Sequence, residues 1–138
     1  MEIILVDTSV WINFFKAKES DSSLFLKNNL GSIIIATCPV IMQEVLQGVL
    51  SDKEFKVVEY YFNTLTKLTD NAYELAIDAA KLYRKARKNG FTIRKPNDCL
   101  IASYAIKNNV KLLHDDQDFY FIAMNSNLKV QSMGEDIQ

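Results

Sequence analysis

The chain has 138 residues, of which 49% are hydrophobic and 24% are charged, and its formal net charge is -1 at pH 7. This length is typical of one domain with a hydrophobic core, and the composition does not indicate disorder. A net charge near zero excludes a generic polyanion-binding protein, so any contact with nucleic acid must come from a local basic patch or from bound metal.

The first half of the chain alternates apolar strands with capped helices. Residues 2–6 form a continuous β-branched and apolar run, as strands of parallel sheets do. Thr8 or Ser9 is expected to cap a helix that runs through residue 15. Ser51 and Glu54 form a capping box, which predicts a helix over 52–65. The remaining predictions in this half are a helix over 22–29, a strand over 32–37 and a helix over 39–48.

The second half continues the alternation and predicts a parallel sheet. Asn71 and Glu74 cap a predicted helix over 72–88, which stops at Asn89 and Gly90. The other predictions are a weak strand at 66–69, a helix from Pro96 or Asn97 to about 109, a strand at 111–114, a helix at 119–124 and a candidate edge strand at 128–131. Alternating strands and helices imply right-handed crossovers and an α/β fold with a parallel sheet.

Four carboxylates fall at the same edge of this predicted sheet. Asp7 and Asp116 each come just after a strand, whereas Glu44 and Asp98 lie near helix starts. In a parallel α/β sheet these places meet at the carboxyl edge, where such folds keep their sites. Crowded carboxylates repel one another and need a cation, and an all-oxygen ligand set favours Mg²⁺ or Mn²⁺. Such ions support phosphodiester hydrolysis.

Each acid also has a structural explanation that involves no ligand. Asp7 could cap the helix that follows it, and Asp98 could interact with the dipole of its own helix. Glu44 could lie on a solvent-exposed helix face, and Asp116 could belong to a solvated acidic turn. These explanations would have to hold independently at all four places, so we favour a common site.

Other features carry weaker predictions. Cys38 and Cys99 lie in apolar surroundings and are expected to be buried thiols in a reducing cytosol. The N-terminus has no positive region, and no stretch approaches the ~20 apolar residues of a membrane span, so we expect a cytoplasmic protein without a signal peptide. His114 is expected not to be a ligand. The run of basic residues from Arg84 to Lys95 is either a solvated helix end or a rim that guides phosphates.

Four motifs, at residues 5–12, 39–48, 98–102 and 112–119, carry a resemblance to a known family. In their order and spacing the chain resembles PIN-domain ribonucleases of the VapC toxin type over nearly its full length. The resemblance implies a single PIN domain over residues 1–138 with three layers (α/β/α) around a central parallel sheet. It also implies an Mg²⁺- or Mn²⁺-dependent endoribonuclease toxin that hydrolyses RNA phosphodiester bonds through metal-activated water. The implied partners are a second copy of the chain and a cognate antitoxin that covers the site.

The functional positions of the family transfer residue by residue. The predicted catalytic residues and metal ligands are the acidic quartet Asp7, Glu44, Asp98 and Asp116. Ser9 matches the small hydroxyl residue of the first motif, and Asp118 matches the second acid of the last motif. Both are expected to orient a ligand carboxylate or to contact the substrate, and Asp118 could also be a ligand itself.

Other classes of protein differ from this chain at the same residues or remain open. A haloacid-dehalogenase-type phosphatase needs a second aspartate two residues after the first, where this chain has Ser9. A response-regulator receiver needs paired acids after the first strand, where Asp7 stands alone. A non-catalytic protein-binding module could share the fold, as could another metal-dependent phosphohydrolase, and both remain alternatives.

Overall fold

The computed structural model describes residues 1–132, and within them the chain forms a four-stranded parallel sheet flanked by helices. The strands are β1 (Ile3–Val6), β2 (Ile34–Thr37), β3 (Thr66–Lys67) and β4 (Lys111–Leu113). Their order in the sheet is β3-β2-β1-β4, and every pairing is parallel. The predicted α/β fold with a central parallel sheet is therefore confirmed.

The helices lie close to their predicted positions. They are α1 (Thr8–Phe15), α2 (Asp21–Asn28), α3 (Pro39–Gln47), α4 (Asp52–Asn63), α5 (Ala72–Lys88), α6 (Pro96–Lys107) and α7 (Asp118–Met124). Ser51 caps α4 and Asn71 caps α5 through their side chains, as expected. The cap of α1 is Asp7 rather than Thr8 or Ser9, because the carboxylate of Asp7 reaches the N–H group of the first turn.

The order of the strands reverses at β1, which makes the carboxyl ends of β1 and β4 the topological switch point of the sheet. From β1 the chain winds outwards through β2 and β3, and then returns to β4 on the other side of β1. Val6 pairs with Leu113, so Asp7 and His114 leave the sheet side by side. Ligands bind at such switch points in open α/β sheets.

Residues beyond α7 extend the sheet only slightly. Leu112 forms an isolated parallel bridge with Val130. The N–H group of Leu112 donates to Lys129 O at 2.9 Å, and that of Gln131 donates to Leu112 O at 2.8 Å. The candidate edge strand at 128–131 is thus a single bridge rather than a full strand.

An aromatic cluster on one side of the sheet anchors α1 to α4. Trp11 is fully buried and packs against the rings of Phe14, Phe15, Tyr61 and Phe62. The three consecutive aromatics of α4 divide between core and surface, because Phe62 is fully buried whereas Tyr60 is 76% exposed. One helix face cannot bury three adjacent side chains, as expected from the helical period.

The two cysteines are buried free thiols, as predicted. Burial raises the pKa of both Cys38 and Cys99 to about 12, so both thiols are protonated and unreactive at neutral pH. Within residues 1–132, no helix combines the length and the apolar character that a membrane span requires.

Candidate active site

Asp7 uses one carboxylate oxygen for local structure and leaves the other without a partner. Its backbone N–H donates to Leu113 O at 2.9 Å, which fixes it beside the end of β4. Its Oδ2 accepts hydrogen bonds from the backbone N–H of Ser9 at 3.0 Å and from Ser9 Oγ at 2.6 Å. Its Oδ1 is buried and has no hydrogen-bond partner among residues 1–132. The capping explanation therefore accounts for only half of this carboxylate.

Ser9 links Asp7 to the loop that follows β4. While its Oγ donates to Asp7, it also accepts a hydrogen bond from the backbone N–H of Asp115 at 2.9 Å. Asp115 in turn accepts hydrogen bonds from Asn13 at 2.9 Å and from Ser20 at 2.7 Å. The loops that carry the first and last acids are thereby held together.

Asp98 is a buried acid rather than a solvated one. It lies in the first turn of α6, which begins with Pro96, and only 5% of its surface is exposed. Its Oδ2 is buried and, in the described part of the chain, has no hydrogen-bond partner. An acid that only stabilised the helix dipole could do so in solvent, where its charge stays hydrated. The helix dipole therefore does not explain why Asp98 is buried.

The environments of Asp7 and Asp98 disfavour their negative charges. Burial raises the pKa of Asp7 from 3.8 to about 6, despite the hydrogen bonds from Ser9, and the charge of Glu44 adds to the rise. Burial raises the pKa of Asp98 from 3.8 to about 8, and the charges of Asp7 and Asp116 add to it. The cause in both cases is desolvation joined by repulsion between like charges.

Glu44 is held towards the end of β1 by Thr8. Although Glu44 lies on α3, 36 residues away in sequence, its Oε1 accepts a hydrogen bond from Thr8 Oγ1 at 2.6 Å. The side chain is half-buried rather than directed into solvent. Its charge acts on Asp7, as the raised pKa of Asp7 records. Thr8 and Ser9, adjacent in sequence, thus orient two different acids.

Asp116 differs from Asp7 and Asp98 because it has a cationic partner. Its Oδ2 accepts a hydrogen bond from Lys95 Nζ at 2.8 Å, and its Oδ1 accepts one from the backbone N–H of Asp118 at 3.0 Å. Burial acts to raise the pKa of Asp116, but these two donors outweigh it, and the pKa lies below its usual value. The same ion pair raises the pKa of Lys95.

Asp118 holds the segment that leads into α6. Its Oδ2 accepts hydrogen bonds from the backbone N–H groups of Arg94 at 3.0 Å and Lys95 at 3.1 Å. Its Oδ1 lies 3.8 Å from Arg94 Nε. With 1% of its surface exposed, Asp118 is the most buried of these acids, and its charge is met by two hydrogen bonds on Oδ2 and by the nearby guanidinium group of Arg94.

Together the acids form a donor set that fits a cation. Asp98, Asp116 and Asp118 each offer a carboxylate oxygen, and these oxygens lie within 4.8 Å of one another. Asp7 is close enough for its charge to raise the pKa of Asp98. The two orphaned oxygens, Asp7 Oδ1 and Asp98 Oδ2, are buried acceptors that a divalent cation would satisfy.

The six residues predicted from the sequence thus lie at the carboxyl edge of the sheet: Asp7, Ser9, Glu44, Asp98, Asp116 and Asp118. Two further residues that bond to these acids, Thr8 and Lys95, were not predicted individually. Thr8 was considered only as a helix cap, and its bond to Glu44 joins residues too far apart for any spacing pattern to indicate. Lys95 was only one member of a basic run. His114 packs against Phe119 and Tyr120, and burial lowers its pKa.

Known proteins share both the sequence and the fold of this chain. The family model of the PIN domain matches residues 4–124. A VapC ribonuclease of Mycobacterium bovis and ribonuclease VapC11 of Mycobacterium tuberculosis are each 38% identical over 133 residues, which cover 94% of this chain and 98% of the relative.

Two solved structures match the fold at lower identity. One is VapBC2 from Rickettsia felis bound to a DNA fragment from its promoter, with 18% identity, a TM-score of 0.71, and coverage of 94% of this chain and 97% of that one. The other is VapBC-1 from nontypeable Haemophilus influenzae, with 19% identity, a TM-score of 0.72, and coverage of 96% and 99%. From the match of the family model and the close mycobacterial relatives, we conclude that the chain belongs to the PIN-domain family.

Proposed function

We propose that this protein is a metal-dependent endoribonuclease that acts in the cytoplasm as the toxin of a toxin–antitoxin pair. The observation that carries the proposal is the pair Asp7 and Asp98, each with a buried carboxylate oxygen that has no partner. The mycobacterial relatives, named as VapC ribonucleases, support RNA as the substrate. We further propose that residues 1–138 form one PIN domain, of which the family model matches 4–124.

The proposed metal ligands are Asp7, Glu44, Asp98 and Asp116, and the proposed ion is Mg²⁺ or Mn²⁺. These hard ions prefer carboxylate oxygen and water as ligands. When bound, such an ion polarises a phosphoryl oxygen and lowers the pKa of a water molecule, which supplies the chemistry of phosphodiester hydrolysis.

The protein contributes orientation and charge to this reaction. Ser9 holds Asp7 Oδ2 through two hydrogen bonds, so that Oδ1 stays directed away from α1. Thr8 holds Glu44 Oε1 in the same way. Burial keeps water away from Asp7 and Asp98, which strengthens their attraction for a cation. The proposed role of Asp118 is to position the Arg94–Lys95 segment through its two backbone contacts on Oδ2. One of its carboxylate oxygens also lies with those of Asp98 and Asp116, so Asp118 could contribute to the metal site.

The direct test is cleavage of single-stranded RNA by the purified protein. We expect cleavage with Mg²⁺ or Mn²⁺, none in excess EDTA, and products with 5′-phosphate and 3′-hydroxyl ends. Asp7→Asn should abolish it, whereas Glu59→Gln, a matched change on the exposed face of α4, should not. Cleavage that persists in EDTA, or 2′,3′-cyclic phosphate products, would contradict the proposal. A pure binding module would bind partners without metal-dependent cleavage.

We propose a homodimer and an antitoxin as the partners. Tyr60 is 76% exposed beside the buried aromatic cluster, which leaves an apolar surface for a second chain. The solved complexes from Rickettsia felis and Haemophilus influenzae are VapBC assemblies, which supports an antitoxin partner. Light scattering at micromolar concentration should give the mass of a dimer, and a monomer would remove that part of the proposal.

A further inference from the structure

Lys95 brings a positive charge into direct contact with the acidic cluster. Its Nζ donates to Asp116 Oδ2 at 2.8 Å, although 67% of its side chain is exposed. Its backbone N–H donates to the buried Asp118, which pins the segment at the start of α6. The ammonium group therefore lies at the mouth of the site, whereas Asp7 and Asp98 lie in its buried part.

This contact occupies an acceptor that a metal ion would use. The other oxygen of Asp116 accepts the backbone N–H of Asp118, so both oxygens of Asp116 have donors. An ammonium group and a divalent cation on one carboxylate would also repel each other. Lys95 and a divalent cation therefore compete for the carboxylate of Asp116.

We propose that Lys95 is a built-in counter-ion, which neutralises Asp116 in the metal-free protein and releases it when a divalent cation binds. The inference rests on the proposed function, because it takes Asp116 as a metal ligand. The exchange needs no movement of the backbone, since the bond from the Lys95 N–H to Asp118 does not depend on the side chain. A long and exposed lysine side chain can swing into solvent at low cost. Lys95 is thus a positioning residue that acts through Asp116.

Without metal, the acids differ in whether a group of the chain neutralises their charge. Asp116 is neutralised from within the chain, whereas Asp7 Oδ1 and Asp98 Oδ2 have no donor. The protein can then fold without a cation, while Asp7 Oδ1 and Asp98 Oδ2 stay available to bind one. If Lys95 had only a structural role, its loss would loosen the site and weaken metal binding. The exchange predicts the opposite change, which is tighter metal binding.

The test is a titration of the metal-free protein with Mn²⁺, followed by the electron paramagnetic resonance signal of free Mn²⁺. Lys95→Met should bind Mn²⁺ about five-fold more tightly than the wild type, the scale expected for an exposed ion pair. Lys95→Arg, which keeps the charge, and Lys56→Met, which removes an exposed charge on α4, should stay within about two-fold of it. Without metal, Lys95→Met should also unfold at a lower temperature than Lys56→Met.

The outcomes separate this inference from the proposed function. If wild-type protein binds Mn²⁺ but Lys95→Met binds it equally or more weakly, Lys95 does not compete with the metal and the inference is overturned. If wild-type protein does not bind Mn²⁺ at all, the proposed function fails and the inference fails with it. If Lys95→Arg binds as tightly as Lys95→Met, charge is not the cause, and the inference is again overturned.

Discussion

Asp7 and Asp98 differ from Asp116 and Asp118 in what surrounds their charge, although all four carboxylates lie at the same edge of the sheet. Asp7 and Asp98 each have a buried oxygen without a donor, and their pKa values are raised to about 6 and about 8. Asp116 accepts hydrogen bonds on both oxygens, from Lys95 Nζ and from the backbone N–H of Asp118. Asp118 accepts two backbone hydrogen bonds on Oδ2, and its Oδ1 lies 3.8 Å from Arg94 Nε.

The difference separates carboxylates that keep an unsatisfied oxygen from carboxylates whose charge is already met by groups of the chain. A buried carboxylate without a donor costs stability when it is ionised, and either a proton or a bound cation removes that cost. A buried carboxylate that accepts several backbone hydrogen bonds stabilises the segment that donates them. The same side chain can therefore serve function or structure, depending on what its surroundings supply.

The largest expected effect is the loss of RNA cleavage in Asp98→Asn. The substitution preserves shape but removes a charge that the metal needs, so we expect activity to fall by at least about 100-fold. Without metal and above about pH 8, where Asp98 is ionised in the folded protein, the same variant should unfold at a higher temperature than the wild type, because it relieves repulsion with Asp7 and Asp116. Cleavage assays and thermal unfolding measure the two effects, with Glu59→Gln as the control. If Asp98→Asn were active and less stable than the wild type, the distinction between Asp7 and Asp98 on one side and Asp116 and Asp118 on the other would be wrong.

The same change at Asp118 should act on stability instead. Asp118→Asn replaces a charged acceptor of two backbone hydrogen bonds by a neutral one, which should cost about 1 to 2 kcal/mol of unfolding free energy. Urea denaturation of the metal-free protein measures this cost. If Asp118→Asn instead raised the free energy of unfolding, as Asp98→Asn should, the charge of Asp118 would be unsatisfied like those of Asp7 and Asp98.

The metal-free protein should lose stability as the pH rises from about 4 to about 8. The folded pKa values of Asp98 and Asp7 are raised, so the native state binds protons in this window that the unfolded state has released. Their contribution is therefore complete at low pH and is lost as the pH passes about 6 and then about 8. Asp116 has a lowered pKa and acts in the opposite direction, below its usual value of 3.8.

Thermal unfolding in EDTA measures this pH dependence. The midpoint should be about 5 °C lower near pH 8.5 than near pH 5, and saturating Mg²⁺ should reduce the difference. Asp98→Asn should flatten the profile. A midpoint that rises across the window would contradict the raised pKa values of Asp7 and Asp98.

The smallest expected effect is that of Thr8→Val, which removes the hydroxyl group that holds Glu44. The hydrogen bond of 2.6 Å is worth about 1 kcal/mol, so cleavage should fall roughly five-fold with little change in stability. Thr8→Ser keeps the hydroxyl group and should retain most of the activity. Equal activity in both variants would mean that Glu44 needs no help to reach the site.

The sequence predicted the strands, the helices and the edge at which the acids meet, because each depends on local patterns. The run at 2–6, the capping residues and Asp7 directly after β1 could all be read in order. The difference between Asp98 and Asp116 could not be predicted, because it depends on whether Lys95 reaches the carboxylate. Such contacts join residues about 20 positions apart through tertiary packing. The cap of α1 was left open between Asp7 and Thr8 or Ser9, because all three side chains can accept from a first-turn N–H group, and the structure assigns it to Asp7.

The most direct test of the central claim is a crystal structure of the protein soaked in Mn²⁺, with anomalous difference density to locate the ion. The account predicts a peak bonded to the oxygens that lack donors, Asp7 Oδ1 and Asp98 Oδ2. It also predicts that Asp118 keeps its contacts with the backbone of Arg94 and Lys95. A peak that contacts neither Asp7 nor Asp98 would contradict the account.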